Sequence, residues 1–453
     1  MNYPLWSIPG LGGSWAVGLI SVIHVFISHF AVGGGIFFAV TEYLALKRSE
    51  SNDLTLRHNS EMLYAYLRKH SKFFMMVTTV AGSVTGVGIW FSISLVSPDG
   101  TASLIQIYSL GWATEYLFFV AEIATVLVYF YTWDKVSKEL HLVLAQWYAV
   151  LSVFTLITIN GILSFMLTPG GWIESKAWYE GFFNPTYWPS LILRLLVMLA
   201  IAGMYSLITS AQLKASESED IANFRAYMLK YSSKWFIPVF LIGPIVGFWF
   251  FSQVPQAVIT NIFTGIQSSG VGNFSILARS IYLSLILSGT VLVFALVGPY
   301  LNPRSFSFAS AIAFLVCGLG VTSVSEWSRE MLRKPYVIYN YMYSNGIRKA
   351  DLETINKDSF AAFSKWEDPD NIGVSMFRQQ CMICHTTDGY RSMKKLLGER
   401  DLEGIKTFLL MMRETDPEKN SYLNIMPPLV GTDKEVEALA EYLVTLKPVK
   451  LGV

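Results

Sequence analysis

Cys381, Cys384 and His385 stand together as Cys-Met-Ile-Cys-His. Two thiols about one helical turn apart, with an imidazole beside the second, suit covalent attachment of haem c. The cysteines form thioethers to the vinyl groups and the histidine binds the iron. The second axial ligand of such an iron is expected to be a soft donor, and Met426 is the candidate. It sits in the run Asn-Ile-Met-Pro-Pro at 424–428, where two prolines stiffen the loop. The helix-like run 433–446 closes the segment. Half a zinc site is the competing reading, and no second Cys/His pair follows to complete it.

A second group of candidates lies in apolar surroundings. An ionisable side chain in hydrocarbon is costly, so each one is a candidate for function. Of His24, His29, His58, His70, His141 and His385, only His24 and His29 fall within an apolar run. His24 is either a hydrogen-bonded structural histidine or a haem ligand. His29 is five residues on, on a different face, and ranks behind it. Glu115 and Glu122 are seven residues apart, two turns of helix, and share one stripe. They suit a proton path or a polar haem environment, with interhelical hydrogen bonds as the structural alternative. Arg194 and Arg279 either fork onto haem propionates or snorkel to the interface. Residues 326–336 read Glu-Trp-Ser-Arg-Glu-Met-Leu-Arg-Lys-Pro-Tyr. An interfacial belt explains the aromatics, but not two glutamates beside two arginines and a lysine.

The elements that must position these residues are membrane helices. The 453 residues are 53% hydrophobic and only 15% charged, with mean hydropathy +0.42. Net charge +1 argues against a nucleic-acid partner. Cys317 is the one cysteine outside the haem motif, so there is no disulfide framework. Eight apolar runs can each cross about 30 Å of hydrocarbon, near 14–46, 73–96, 108–133, 141–167, 187–212, 235–254, 275–300 and 306–325. The first is too long, and lacks the basic lead, of a cleavable signal. The loops after runs 1, 3, 5 and 7 hold 13 Lys and Arg, whereas the alternate loops hold only Lys176. That asymmetry predicts an outside amino terminus. Eight spans then return the chain outside, where haem c is attached. The expected organisation is a polytopic all-α bundle over 1–336, a linker over 337–367, and a small all-α cytochrome c domain over 368–453. The segment 368–448 resembles a class I cytochrome c domain.

The membrane part, about 15–340, resembles subunit I of the cytochrome bd quinol oxidases. His24 with the apolar run to Glu42 resembles that family's first helix, whose histidine ligates a high-spin haem. Glu115 and Glu122, followed by Trp133-Asp-Lys135 and His141, resemble its third helix and the loop after it, where acidic residues line a proton route. Asn160-Gly161 and Asn184-Pro185 fall in matching places. Arg329-Glu330-Met-Leu-Arg333-Lys-Pro-Tyr336 resembles the signature Glu-x-Gly-Arg-Gln-Pro-Trp. The resemblance implies Glu330 as the carboxylate ligand of a second high-spin haem and Arg333 as a haem-site arginine. It implies haem b or haem d, one or two groups, beside the single haem c. It also implies a second membrane subunit and a bacterial inner membrane location, with the cytochrome c domain on the periplasmic face.

The departures bear on the electron donor. The family's low-spin haem takes a histidine from helix 5 and a methionine from helix 7. Here helix 5 has Arg194 near that position and helix 7 has Ala-Arg-Ser-Ile-Tyr at 278–282. The loop between helices 6 and 7, which binds quinol in the family, is reduced to about 255–274 and lacks the charged residues that contact quinol. The spacing of the two glutamates is one residue short, and a ninth helix is replaced by the cytochrome c segment. Two functions remain. In one, haem c receives electrons from a soluble or membrane-bound donor and oxygen is reduced at high-spin haems, with Glu115 and Glu122 delivering protons. In the other, the chain is a non-catalytic electron-transfer or anchor subunit beside another subunit I-like chain. A transporter reading has no use for the Cys-x-x-Cys-His motif.

Overall fold

The computed structural model describes residues 5–260, 276–363 and 371–447. Among them are eight helices long and apolar enough to cross a membrane: α1 Gly13–Ser49, α2 Leu54–Val96, α3 Ser109–Tyr131, α4 Lys138–Phe165, α5 Tyr187–Ala211, α6 Glu219–Ser252, α7 Leu277–Leu301 and α8 Phe308–Arg333. The chain is a polytopic all-α membrane bundle. Polar side chains start several of these helices. Asp53, Ser137, Ser218 and Ser307 each accept a backbone N–H of the first turn of α2, α4, α6 and α8.

At 37 residues α1 is about 55 Å long, well beyond the hydrocarbon thickness. It is the central helix, and consecutive glycines explain how. A Cβ at Gly33 would overlap the Met198 carbonyl of α5. One at Gly34 would overlap the Phe74 ring of α2, and one at Gly35 would come within 2.6 Å of the Tyr148 ring of α4. Small residues let membrane helices approach closely where lipid gives no hydrophobic drive for association. Around this point Phe30 stacks on Tyr205 at 3.9 Å and meets Phe74 edge-on at 5.0 Å.

Three helices run further than the apolar runs suggest. The stretches 54–72 and 219–234 extend α2 and α6, and α8 continues from 325 to Arg333. Hydropathy marks only the part of a helix that lipid or core covers, while Arg, Lys, Glu and Leu are good helix formers on either side. The extension of α2 buries His70 completely among Phe37, Phe38 and Tyr66. His70 therefore lies inside the bundle, as do His24, His29 and His141.

After α8, residues Tyr336–Ile338 and Met342–Tyr343 form a two-stranded hairpin. The carboxy-terminal part folds around α9 Ile372–Gln380, α10 Met393–Leu397, α11 Leu402–Arg413 and α12 Asp433–Thr445. Its core holds Met376, Phe377, Ile405, Leu409, Val430 and Leu439. Tyr343, Ile347, Leu352, Ile355 and Phe360, from the stretch expected as a linker, pack into the same core.

Candidate functional site

The Cys-x-x-Cys-His turn begins where α9 ends. Cys381 closes the helix, and its carbonyl accepts the N–H groups of Cys384 at 3.1 Å and His385 at 2.9 Å. All three cysteines of the chain are free thiols. The His385 Nδ1 lies 3.1 Å from the Arg391 carbonyl oxygen. That contact orients the ring and leaves Nε2 for a metal, the arrangement in which a second-shell carbonyl fixes the tautomer of a ligating histidine. Met426 sits on a tight turn whose N–H groups return to the Tyr422 carbonyl, and it packs on the same core as Cys381. Gln380 ties the two parts together. Its Nε2 donates to the Val430 carbonyl at 2.8 Å, and its Oε1 accepts the Val430 N–H at 3.0 Å. Among the described residues no three His, Cys, Asp or Glu converge as a metal site, so a zinc reading gains nothing. Two unpaired thiols, an oriented imidazole and a thioether on one core fit haem c.

This turn rests on the bundle. Tyr390 N–H donates to the Gly10 carbonyl at 2.7 Å, and the Ser14 hydroxyl donates to the Ile383 carbonyl. Trp15 stands edge-on to both Tyr390, at 5.7 Å, and Trp327 of α8, at 6.1 Å. Lys334 lies within electrostatic reach of Cys384 and Glu330. The motif and the charged end of α8 are therefore one neighbourhood.

That end of α8 carries two ion pairs at the same helical spacing. Arg329 donates to Glu326 through Nε at 2.9 Å and Nη2 at 2.8 Å. Arg333 donates to Glu330, whose other oxygen lies 3.2 Å from Lys334 Nζ. Glu326 is the more buried carboxylate, and it also senses Arg194 and His29. His29 is buried with Nδ1 2.6 Å from the Val25 carbonyl, and its electrostatic neighbours include His24. His24 is half-buried, with Nδ1 3.0 Å from Thr85 Oγ1. Arg279 is exposed. Thus His24, His29, Arg194, Glu326, Glu330 and Arg333 gather at the end of the bundle beneath the Cys-x-x-Cys-His turn. Sequence reasoning singled out Glu326 only as one of the two unexplained glutamates of 326–336 and gave it no role, although Glu326-Trp-Ser-Arg329 repeats the Glu-x-x-Arg spacing of the next turn. A carboxylate already held by cations can serve as an anionic ligand without being left as an unpaired charge. A set of imidazoles, carboxylates and arginines also suits a haem with two propionates.

Glu122 is buried and takes a hydrogen bond from Tyr148 at 2.9 Å and from Thr155 at 3.3 Å, both on α4. Glu115 is half-buried and lies within its electrostatic reach. Towards the other end of α1, Glu42 is fully buried between His141 Nδ1 at 2.6 Å and the Tyr129 hydroxyl at 2.8 Å. His141 Nε2 faces the Tyr129 carbonyl at 3.0 Å. His141 lies in the first turn of α4, which begins at Lys138, three residues before the apolar run of 141–167. Along α1 and α3 the order is therefore Glu42 with His141, then Glu122 with Tyr148, then Glu115. The segment 261–275, most of the shortened loop between α6 and α7, lies outside the described residues.

Comparisons with known proteins agree with this picture of the bundle. The solved structure of the bd oxidase from Geobacillus thermodenitrificans aligns with a TM-score of 0.57, covering 77% of this chain and 94% of that one. Sequence identity is 16%, so the likeness shows the fold. No curated protein matches the sequence. The family model described as cytochrome bd terminal oxidase subunit I matches residues 14–257, more than half of the chain and not including the Cys-x-x-Cys-His turn. This chain belongs to the cytochrome bd terminal oxidase subunit I family, and so is a haem-dependent respiratory electron-transfer protein of the membrane.

Proposed function

We propose that this chain moves electrons between a covalent haem c, held by Cys381, Cys384, His385 and Met426, and haem b or haem d in the bundle. Bound haem supplies the electron-carrying chemistry and, at an iron with an open position, oxygen binding. The rest is the work of the chain. Arg391 orients His385, and Gln380 holds the loop that offers Met426. His24 and Glu330 are the bundle ligands implied by the family signature, with His29 and Glu326 the alternatives that packing adds. Arg194, Arg329 and Arg333 are placed to neutralise propionates. Glu122 holds a proton that Tyr148 and Glu115 can exchange, and the pair of Glu42 and His141 stands at the start of that line.

The observation that carries this reading is the seating of the Cys-x-x-Cys-His turn on the end of the bundle that holds the charged cluster. Electrons then have a short way between the two. In this reading the donor is a soluble or membrane-bound redox protein at haem c, quinol is not the donor, and a second membrane subunit packs beside the bundle. The chain sits in the bacterial inner membrane with the cytochrome c segment on the periplasmic face. The Lys and Arg asymmetry supports this, as does the contact of residues 10–15 with residues 383–390.

A second reading, a non-catalytic electron-transfer or anchor subunit, is favoured by the lack of a histidine in α5 and a methionine in α7. Pyridine haemochrome analysis before and after acid-acetone extraction separates the two. Haem c retained by the chain, with one or two extractable haems and carbon monoxide binding, is the expected result. Haem c alone would leave the second reading, and no covalent haem would overturn both.

A further inference from the structure

At the end of the bundle away from the cytochrome c segment, α1, α6 and the last turn of α7 enclose a cavity of about 530 Å³. It is lined by Arg48, Lys230, Lys234 and the tyrosines Tyr227, Tyr231 and Tyr300, with no carboxylate among the lining residues. Lys230 and Lys234 are four residues apart on α6, so they share a face and repel one another. Arg48 is held in place by Tyr227, which accepts a hydrogen bond from Nη2 at 2.9 Å and lies beneath the guanidinium at 5.2 Å. A cavity with three cations, one of them oriented in advance, and three hydroxyls selects an anion with several acceptor oxygens.

Depth identifies which anion. Leu44 and Leu301 complete the wall. Leu301 is exposed at the end of a span, so the cavity opens towards the lipid side of the bundle. The tyrosines occupy the level at which such rings mark the membrane–water interface. We propose that this cavity binds the phosphate headgroup of an anionic phospholipid, of the phosphatidylglycerol or cardiolipin class. Arg48 forks onto the phosphate, the two lysines compensate its charge, and the acyl chain leaves along Leu44 and Leu301.

The test uses the full purified chain in detergent after delipidation. Phosphatidylglycerol, phosphatidylcholine or inorganic phosphate is titrated in, and thermal stability and native mass spectra are read. The wild type should be stabilised by phosphatidylglycerol and retain it as an adduct, and should respond to neither of the others. Lys230→Gln/Lys234→Gln should bind about twenty-five-fold more weakly, taking about fivefold for each lysine near an anionic surface. Arg48→Lys keeps the charge but loses the fork, and should also bind more weakly. Lys214→Gln, at the same end but outside the cavity, should behave as wild type. An equal response of wild type and double variant to phosphatidylglycerol overturns the proposal. A response to inorganic phosphate equal to that for the lipid assigns a soluble anion and overturns it too, as does loss of a co-purifying subunit in the double variant with lipid binding unchanged.

Discussion

Gly389→Ala tests whether the cytochrome c segment is fixed on the bundle. The residue lies between His385 and Tyr390, and a Cβ there would overlap the backbone of Gly10, at its carbonyl and Cα. Backbone on both sides cannot move aside as a flexible side chain would, so the loop must lift from the amino-terminal turn. Lifting removes the Tyr390 N–H bond to Gly10, the Ser14 hydroxyl bond to Ile383 and the edge contact of Trp15 with Tyr390. Two hydrogen bonds at about 1 kcal/mol each and an aromatic pair at about 1 kcal/mol sum to about 3 kcal/mol. That is roughly a hundredfold shift in the docking equilibrium. Amide hydrogen exchange reads it directly. The Tyr390 amide should exchange about a hundredfold faster in the variant, while amides in α12 keep their protection. On the function proposed above, electron transfer between haem c and the bundle should slow in parallel. Unchanged protection at Tyr390 would refute the docked arrangement.

Three further expectations follow from buried polar groups. Gln380→Leu leaves both polar groups of Val430 unsatisfied; it should cost about 2–4 kcal/mol and, on the proposed function, free Met426, seen as easier binding of imidazole at the proposed haem c, and a variant with wild-type stability would refute the pinning role. Glu435 is buried, which alone would raise its carboxyl, but the N–H groups of Ala361, Phe360 and Thr432 and the Ser359 hydroxyl outweigh this and hold it below the usual range. A depressed carboxyl contributes stability that is present above its unfolded value of about 4.3 and lost as pH falls through the folded one; acid titration of unfolding should show that loss in wild type and a smaller one in Glu435→Gln, which starts about 2–4 kcal/mol lower. His141→Leu removes one of the two side-chain partners of the fully buried Glu42, leaving Tyr129, and should cost about 1–3 kcal/mol in thermal unfolding, whereas His58→Leu, on an exposed part of α2, should cost almost nothing; equal effects would remove the contact of His141 with Glu42 from the account.

What the amino-acid sequence determined by itself is local or one-dimensional. Eight apolar runs are legible because hydrocarbon demands about 20 apolar residues in a row and a backbone that satisfies itself. The Cys-Met-Ile-Cys-His motif is legible because its chemistry needs neighbours in the chain. The glutamate stripe of α3 is legible because a helix repeats every 3.6 residues. The tertiary structure decided which polar groups meet. Hydropathy could not show that α2 and α6 continue as helices beyond the lipid, so His70 read as a loop residue although packing buries it. Nothing in the sequence singles out the three adjacent glycines 33–35, yet each admits a different helix, because close approach depends on what lies opposite. Gln380 has no motif of its own, and its role exists only because α9 meets the loop at Val430. His29, Arg194 and Glu326 are more than a hundred residues apart from one to the next, and only the packing of α1, α5 and α8 brings these groups together, since a polar group is costly to bury without a partner.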